Sequence, residues 1–200
     1  MNMKQKILFF GTMISLVLLT GSGWLEFLLS YEQSLTAIWV AAIAYTALIA
    51  FSFPVGAVVA VFIGYVFGLS TAFPMVLFSA TIGAALIYSY RQAKVSIPKE
   101  VEEGFKTHGW TYLLFLRSVP TYTFQEVNAW AAKSPHITLG YYTVATFFGI
   151  AAGTLGYTWF GAALRDVSFA EPASFVTLIW PILLLWGLAV FPFKKVLKIE

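Results

Sequence analysis

Arg117 stands in Phe115-Leu116-Arg117-Ser118-Val119-Pro120, with no Asp, Glu, Lys or Arg between it and Lys106 on one side or Glu126 on the other. A guanidinium at bilayer depth is costly unless something pairs with it, so an arginine in such a place marks a candidate site. Its chemistry is anion binding, because the planar fork matches pairs of phosphate or carboxylate oxygens. The alternative is a snorkelling arginine near a helix end, its stem on apolar surface and its head among lipid headgroups. Pro120 breaks the local helix. Broken backbone at membrane depth persists only where protein covers it or it lines a wet cavity. Together Arg117 and Pro120 describe a segment that enters a membrane to hold a charge.

Glu126, in Thr123-Phe124-Gln125-Glu126-Val127-Asn128, is open to three roles. It pairs with Arg117, it titrates in a low-dielectric site, or it sits at the interfacial mouth of the segment. Asn128 is placed to hydrogen-bond backbone groups freed at the break; Gln125 is a weaker candidate. Lys133 and His136 flank Ser134-Pro135 and mark the membrane exit, while His108 lies in a charged stretch and reads as solvated. Two such histidines without a carboxylate cluster make a poor metal site, and the chain has no cysteine. No nucleophile–base pair is evident, so the expectation is a non-enzymatic protein without metal or cofactor.

The chain is 60% hydrophobic and 10% charged, with mean hydropathy +0.81 over 200 residues. A soluble domain of this size needs no such apolar excess, so an all-α integral membrane protein is expected. The net charge of +3 is modest, and its basic residues lie between hydrophobic blocks, where they report topology rather than nucleic-acid binding. Membrane lipids, including an anionic headgroup, are the expected partners. Oligomerisation is left open.

Four charge-free blocks set the organisation: Ile7–Leu25, Gln33–Tyr90, Ile137–Leu164 and Pro172–Phe193. Lys4 and Lys6 before Ile7–Thr20 resemble the start of a signal peptide, but Ile7–Leu25 is long enough to span, and an uncleaved first helix is expected. The second block needs more than one crossing at about 20 residues each. Thr36–Phe51 and Thr71–Tyr90 read as helices. Between them, Pro54, Gly56, Gly64 and Gly68 interrupt an apolar piece, read as a re-entrant hairpin or else a short transmembrane helix. Trp110–Leu116, Pro120 and Phe124–Ala132 repeat the theme before the long helix Ile137–Leu164. Pro54 and Pro120 are 66 residues apart, as are Gly83 and Gly149. Pro-broken short segments at matching places in two halves point to a transporter-like site. Gly149, Gly153 and Gly156 form a small-residue packing face for close helix approach. Gly64 and Gly68 fit that role as well as a bend.

About five transmembrane helices plus two opposed hairpins in an inverted repeat follow, with residues 1–52 as N-terminal helices, 53–164 as the core and 172–200 as a C-terminal helix and basic tail. The Arg91–Lys106 stretch and the Lys194, Lys195 and Lys198 tail then share a side, placing the C-terminus in the cytoplasm. The lack of a long soluble domain fits a bacterial plasma membrane; a eukaryotic organelle stays open.

At these residues the chain resembles the VTT-domain membrane proteins, also called SNARE-associated Golgi proteins, of the DedA superfamily. The resemblance covers roughly Phe53–Leu164. It rests on Phe115-Leu116-Arg117-Ser118-Val119-Pro120 with Phe124 and Asn128, the Gly149…Gly153 helix, Pro54-x-Gly56, Gly64-Tyr65-Val66-Phe67-Gly68, Gly83-Ala84 and Arg91. Val55 to Ala60 lacks the acidic residue of DedA-type members, and Thr123 stands where they carry a second basic residue. The chain therefore looks closer to the Golgi-protein-like branch, and acid-driven proton coupling is not carried over. The resemblance implies two opposed hairpins and movement of phospholipid or polyprenyl-phosphate headgroups between leaflets. An ion- or proton-coupled small-solute transporter and a structural assembly protein are the rivals.

Overall fold

The computed structural model describes residues 34–51, 53, 55–90, 96–118, 122–167 and 172–190. Pro54, Pro120, Ile7–Leu25 and the Lys194–Glu200 tail lie outside the described residues. Those described form helices and turns, with no strand among them.

Helix α1 (Leu35–Ala50) begins where the Ser34 hydroxyl accepts from the Ala37 amide. It is apolar on all sides. Leu35, Trp39, Val40 and Ile43 are exposed, while Tyr45 and Ile49 face inward. Helix α2 (Gly56–Tyr90) contains one non-helical residue, Gly68, at φ 70 and ψ 165. A straight helix would hold Gly56 and Gly83 roughly 40 Å apart at 1.5 Å per residue, yet the Ile49 side chain meets both. The chain therefore turns back at Gly68, and Ala60 and Ile63 of the first arm share a core with Ala72, Met75, Val76 and Ala80 of the second. Positive φ is the reason for glycine at this bend. Gly64, by contrast, is inside the first arm, where a Cβ would collide with the Thr158 carbonyl oxygen. Of its two roles, packing is the one it fills.

Residues Lys99–His108 form α3, a helix where the sequence suggests only a charged stretch. Pro98 precedes it, Glu100 and Glu102 sit in its first turn and Lys106 and His108 in its last, in keeping with the helix dipole. Val101, Gly104 and Phe105 are its buried face. Gly109, at φ 55, ends it and starts α4 (Trp110–Ser118). Helix α5 (Phe124–Lys133) opens with a capping box, and α6 (Leu139–Arg165) opens on a Thr138 cap. A 3-10 turn, Pro172–Leu178, leads into α7 (Ile179–Val190), so the expected C-terminal helix begins one element late.

Helix α6 is the central post, packed on α2, α4 and α7. It crosses the first arm of α2 backbone to backbone: Gly64 lies on Thr158, and Gly161 lies on Val61. Gly149 lies on Leu114 and Arg117, and Gly156 on Leu185. Gly153 departs from the expected packing face, since a Cβ there meets nothing nearer than Tyr157 at 4.0 Å. Among the described residues two helices, Gly56–Ser89 and Leu139–Arg165, are long and apolar enough to cross a membrane. In the first, the arm from Leu69 onward alone supplies the roughly 20 residues of a span.

One pattern occurs twice. Helix, break, short helix, reversal and long helix run from Leu35 to Tyr90 and again from Trp110 to Arg165. In the first pass Gly83 of the long helix receives Thr46 and Ile49; in the second Gly149 receives Leu114 and Arg117. Each glycine accepts two residues three apart from the helix before the break. Ile49 and Arg117 are counterparts.

Candidate functional site

Arg117 occupies the last turn of α4, pressed on Gly149 of α6 through its Cβ. Its Nη2 donates to the Tyr142 hydroxyl at 2.9 Å and to Asn128 Oδ1. The Tyr142 hydroxyl donates to the same Asn128 oxygen at 2.6 Å. Nη1 donates to the Phe124 carbonyl at 3.4 Å. The guanidinium carbon lies 4.4 Å from the centre of the Phe124 ring and 5.2 Å from that of Tyr142, both within cation–π range. Asn128 and Tyr142 are fully buried. The Tyr88 ring, 4.8 Å from that of Tyr142, backs the triangle, with its hydroxyl on the Ile137 carbonyl.

Asn128 does not serve the broken backbone as expected: its Oδ1 holds the cation, and its Nδ2 has no partner among the described residues. Glu126 does not pair with Arg117. It is exposed, and its Oε2 accepts from the Thr123 amide at 2.8 Å and the Thr123 hydroxyl at 2.7 Å, closing the capping box of α5. Donors aimed at a carboxylate favour its ionised form. Among the described residues no carboxylate partners Arg117, and the groups that meet its charge are dipoles and rings.

Among the described residues, two buried side-chain atoms of this triangle have no hydrogen-bond partner, Arg117 Nε and Asn128 Nδ2, while the Thr146 hydroxyl is within reach of the Tyr142 hydroxyl. Buried polar atoms are nearly always satisfied, so two in one triangle mark a strained or ligand-facing site. The free two-pronged fork expected of Arg117 is not on offer here. Both Nη2 hydrogens are committed, and Nε is enclosed.

Beside the guanidinium lies a cavity of about 450 Å³ between the two halves. Tyr45, Ile49, Ala57, Phe124, Gly153 and Tyr157 mark its outline. Arg117 is the one charged side chain lining it among the described residues. Gly56 and Gly153 border it, and Gly56 also accepts the Tyr45 hydroxyl on its carbonyl. Gly64, Gly68 and Gly83 belong to the scaffold, and no group of His, Asp or Glu suited to a metal occurs among the described residues.

Tyr142 and Ile49 have no marker in the sequence. A tyrosine in an aromatic-rich chain reads as an interfacial anchor, and an isoleucine in an apolar helix reads as lipid-facing. The capping box is different, because Thr123-x-x-Glu126 is its plain signature. No family model matches the chain, and neither the curated proteins nor the solved structures contain a match.

Proposed function

We propose that this chain moves lipid headgroups between the leaflets of a membrane, as a scramblase or flippase without enzymatic chemistry. One observation carries the proposal: among the described residues, a single arginine without a carboxylate partner lines a largely apolar cavity between two like halves. Such a cation attracts a phosphate, with hydrogen bonds to charged groups contributing about 1.5–3 kcal/mol each. The apolar walls suit the glycerol and first methylenes, while the tails remain in lipid. Exposed Trp39, Ile43, Phe78, Ile82, Val144 and Phe148 give these helices an apolar exterior, as a bilayer requires.

In this proposal the two re-entrant pieces are α4–α5 and its counterpart, the end of α1 with the first arm of α2, entering from opposite faces. Five crossings result, with the C-terminus in the cytoplasm of a bacterial cell. The likeness to VTT-domain proteins supports the same activity, with phospholipids or polyprenyl phosphates as cargo.

A structural rival draws on one observation: Arg117 is already held by Asn128 and Tyr142. Proton-coupled solute transport is less favoured, because the Glu126 carboxylate is engaged as a helix cap. The deciding experiment is leaflet exchange of a fluorescent phospholipid in liposomes containing purified protein. Exchange by the wild type, its loss in Arg117→Ala and its impairment in Arg117→Lys are expected, with folding checked by circular dichroism. Undiminished exchange in Arg117→Ala would sink the headgroup-anchor role. No exchange by folded wild type would leave the structural rival.

A further inference from the structure

Among the described residues the cavity holds one positive charge, where its repeated architecture has two places for one. Arg117 on α4 and Ile49 on α1 occupy matching positions against Gly149 and Gly83, and both side chains line the same cavity. A symmetric site would present two cations to a ligand. This one presents a guanidinium on one wall and a branched hydrocarbon on the other. The guanidinium is itself partly spent. Nη2 is fully engaged and Nε is enclosed, so Nη1, with only its long bond to the Phe124 carbonyl, has capacity left.

We infer that the cavity selects a lipid headgroup with one net negative charge and no ammonium, a phosphodiester of a neutral polyol, and that Ile49 sets this selectivity. The inference rests on the lipid-binding part of the function proposed above, and it names the class of cargo. A phosphomonoester, a polyprenyl phosphate included, carries about −1.5 to −2 at neutral pH, so the inference narrows the cargo proposed above to phospholipids. Against one guanidinium its second charge would be buried unpaired, and unpaired buried charge is strongly disfavoured. A phosphodiester carries a single charge and matches the cation one to one. An ammonium headgroup brings a cation for which the described lining offers no carboxylate. The aromatic faces of Tyr45, Tyr122, Phe124 and Tyr157 could offset only about 0.5–2 kcal/mol of that burial. The lining also carries Tyr122, Thr154 and Tyr157, whose hydroxyls suit those of a polyol.

The test is thermal stabilisation of the purified full chain in detergent by three short-chain lipids: phosphatidylglycerol, phosphatidic acid and phosphatidylcholine. Phosphatidylglycerol should stabilise at concentrations on the order of tenfold below the other two, and Arg117→Ala should level the three. Ile49→Lys should shift the preference toward phosphatidic acid. Ala57→Lys, at an exposed position that also lines the cavity, should do the same if Ile49→Lys does not fold. Equal stabilisation by all three lipids, or a preference for phosphatidylcholine, overturns the inference. So does a preference for phosphatidic acid in the wild type, or one that neither lysine variant moves. Leaflet exchange is measured separately: selective binding without exchange defeats transport but not selectivity, and exchange without selective binding defeats selectivity alone.

Discussion

Replacing Tyr142 with Phe deletes one oxygen and keeps the ring. That oxygen accepts from Arg117 Nη2 at 2.9 Å and donates to Asn128 Oδ1 at 2.6 Å. Hydrogen bonds to charged groups contribute about 1.5–3 kcal/mol, and an orphaned buried donor pays its desolvation besides. Tyr142→Phe should therefore destabilise the fold by about 2–3 kcal/mol, at the upper end because the tyrosine is fully buried. Asn128→Leu removes the acceptor shared by both partners and should cost more, about 3–4 kcal/mol, lessened by the loss of its unpartnered Nδ2. The two changes touch one network, so the double variant should fall short of the sum by about 0.5–3 kcal/mol. Unfolding in mixed micelles, followed by circular dichroism across the four proteins, measures all three quantities. Additive effects below about 0.5 kcal/mol each would show that the triangle does not hold Arg117, and with it would go the account of a pre-positioned cation.

Other outcomes follow from the glycines and the cap. Gly161→Ala should destabilise by more than about 3 kcal/mol or prevent folding, because its Cβ would run into the backbone carbonyl of Val61; purification yield and unfolding report it. Gly153→Ala should instead be neutral or stabilising by up to about 1 kcal/mol, since it adds helix propensity in open space. Gly68→Ala should cost about 1–3 kcal/mol for a side chain at φ 70 and ψ 165, a region essentially confined to glycine, although nothing crowds the site. Glu126→Gln should lower stability by about 0.5–1 kcal/mol through the cap and leave the pH dependence of leaflet exchange as it is in the wild type. A changed pH profile in that variant would restore Glu126 to the transport machinery.

Much of the scaffold is legible in the sequence because its signals are local. Ser34 before an apolar run, Thr138 before another, and the glycines and prolines between them mark element ends. Val101 and Phe105, four apart after Pro98, are the pattern of an amphipathic helix, but the dense charge around them reads first as a loop. Arg117 is legible because charge in an apolar stretch has few explanations. Its partners are not, for two reasons. Asn128 reaches it through a fold-back of the chain, and Tyr142 arrives from another helix by a contact no spacing encodes. Gly64 stays ambiguous for a related reason. Whether a helical glycine bends a chain or receives a neighbour depends on Thr158, far along the sequence.

The crossing of α2 and α6 has a mechanical consequence. At Gly64 and Gly161 main chain rests on main chain, with no side chain between that could swing aside or change rotamer. Such a joint behaves as a rivet: it neither slides nor opens by small steps. Any widening of the cavity must therefore come from the parts that the rivet does not clamp, and α4 with α5 is the nearest of these. That pair leans on α6 at Gly149, through the stem of Arg117 and the Leu114 carbonyl. Under the function proposed above, the side chain that would meet the cargo's charge is thus also a strut between α4 and α6, and arrival of a phosphate would load the structure at that contact.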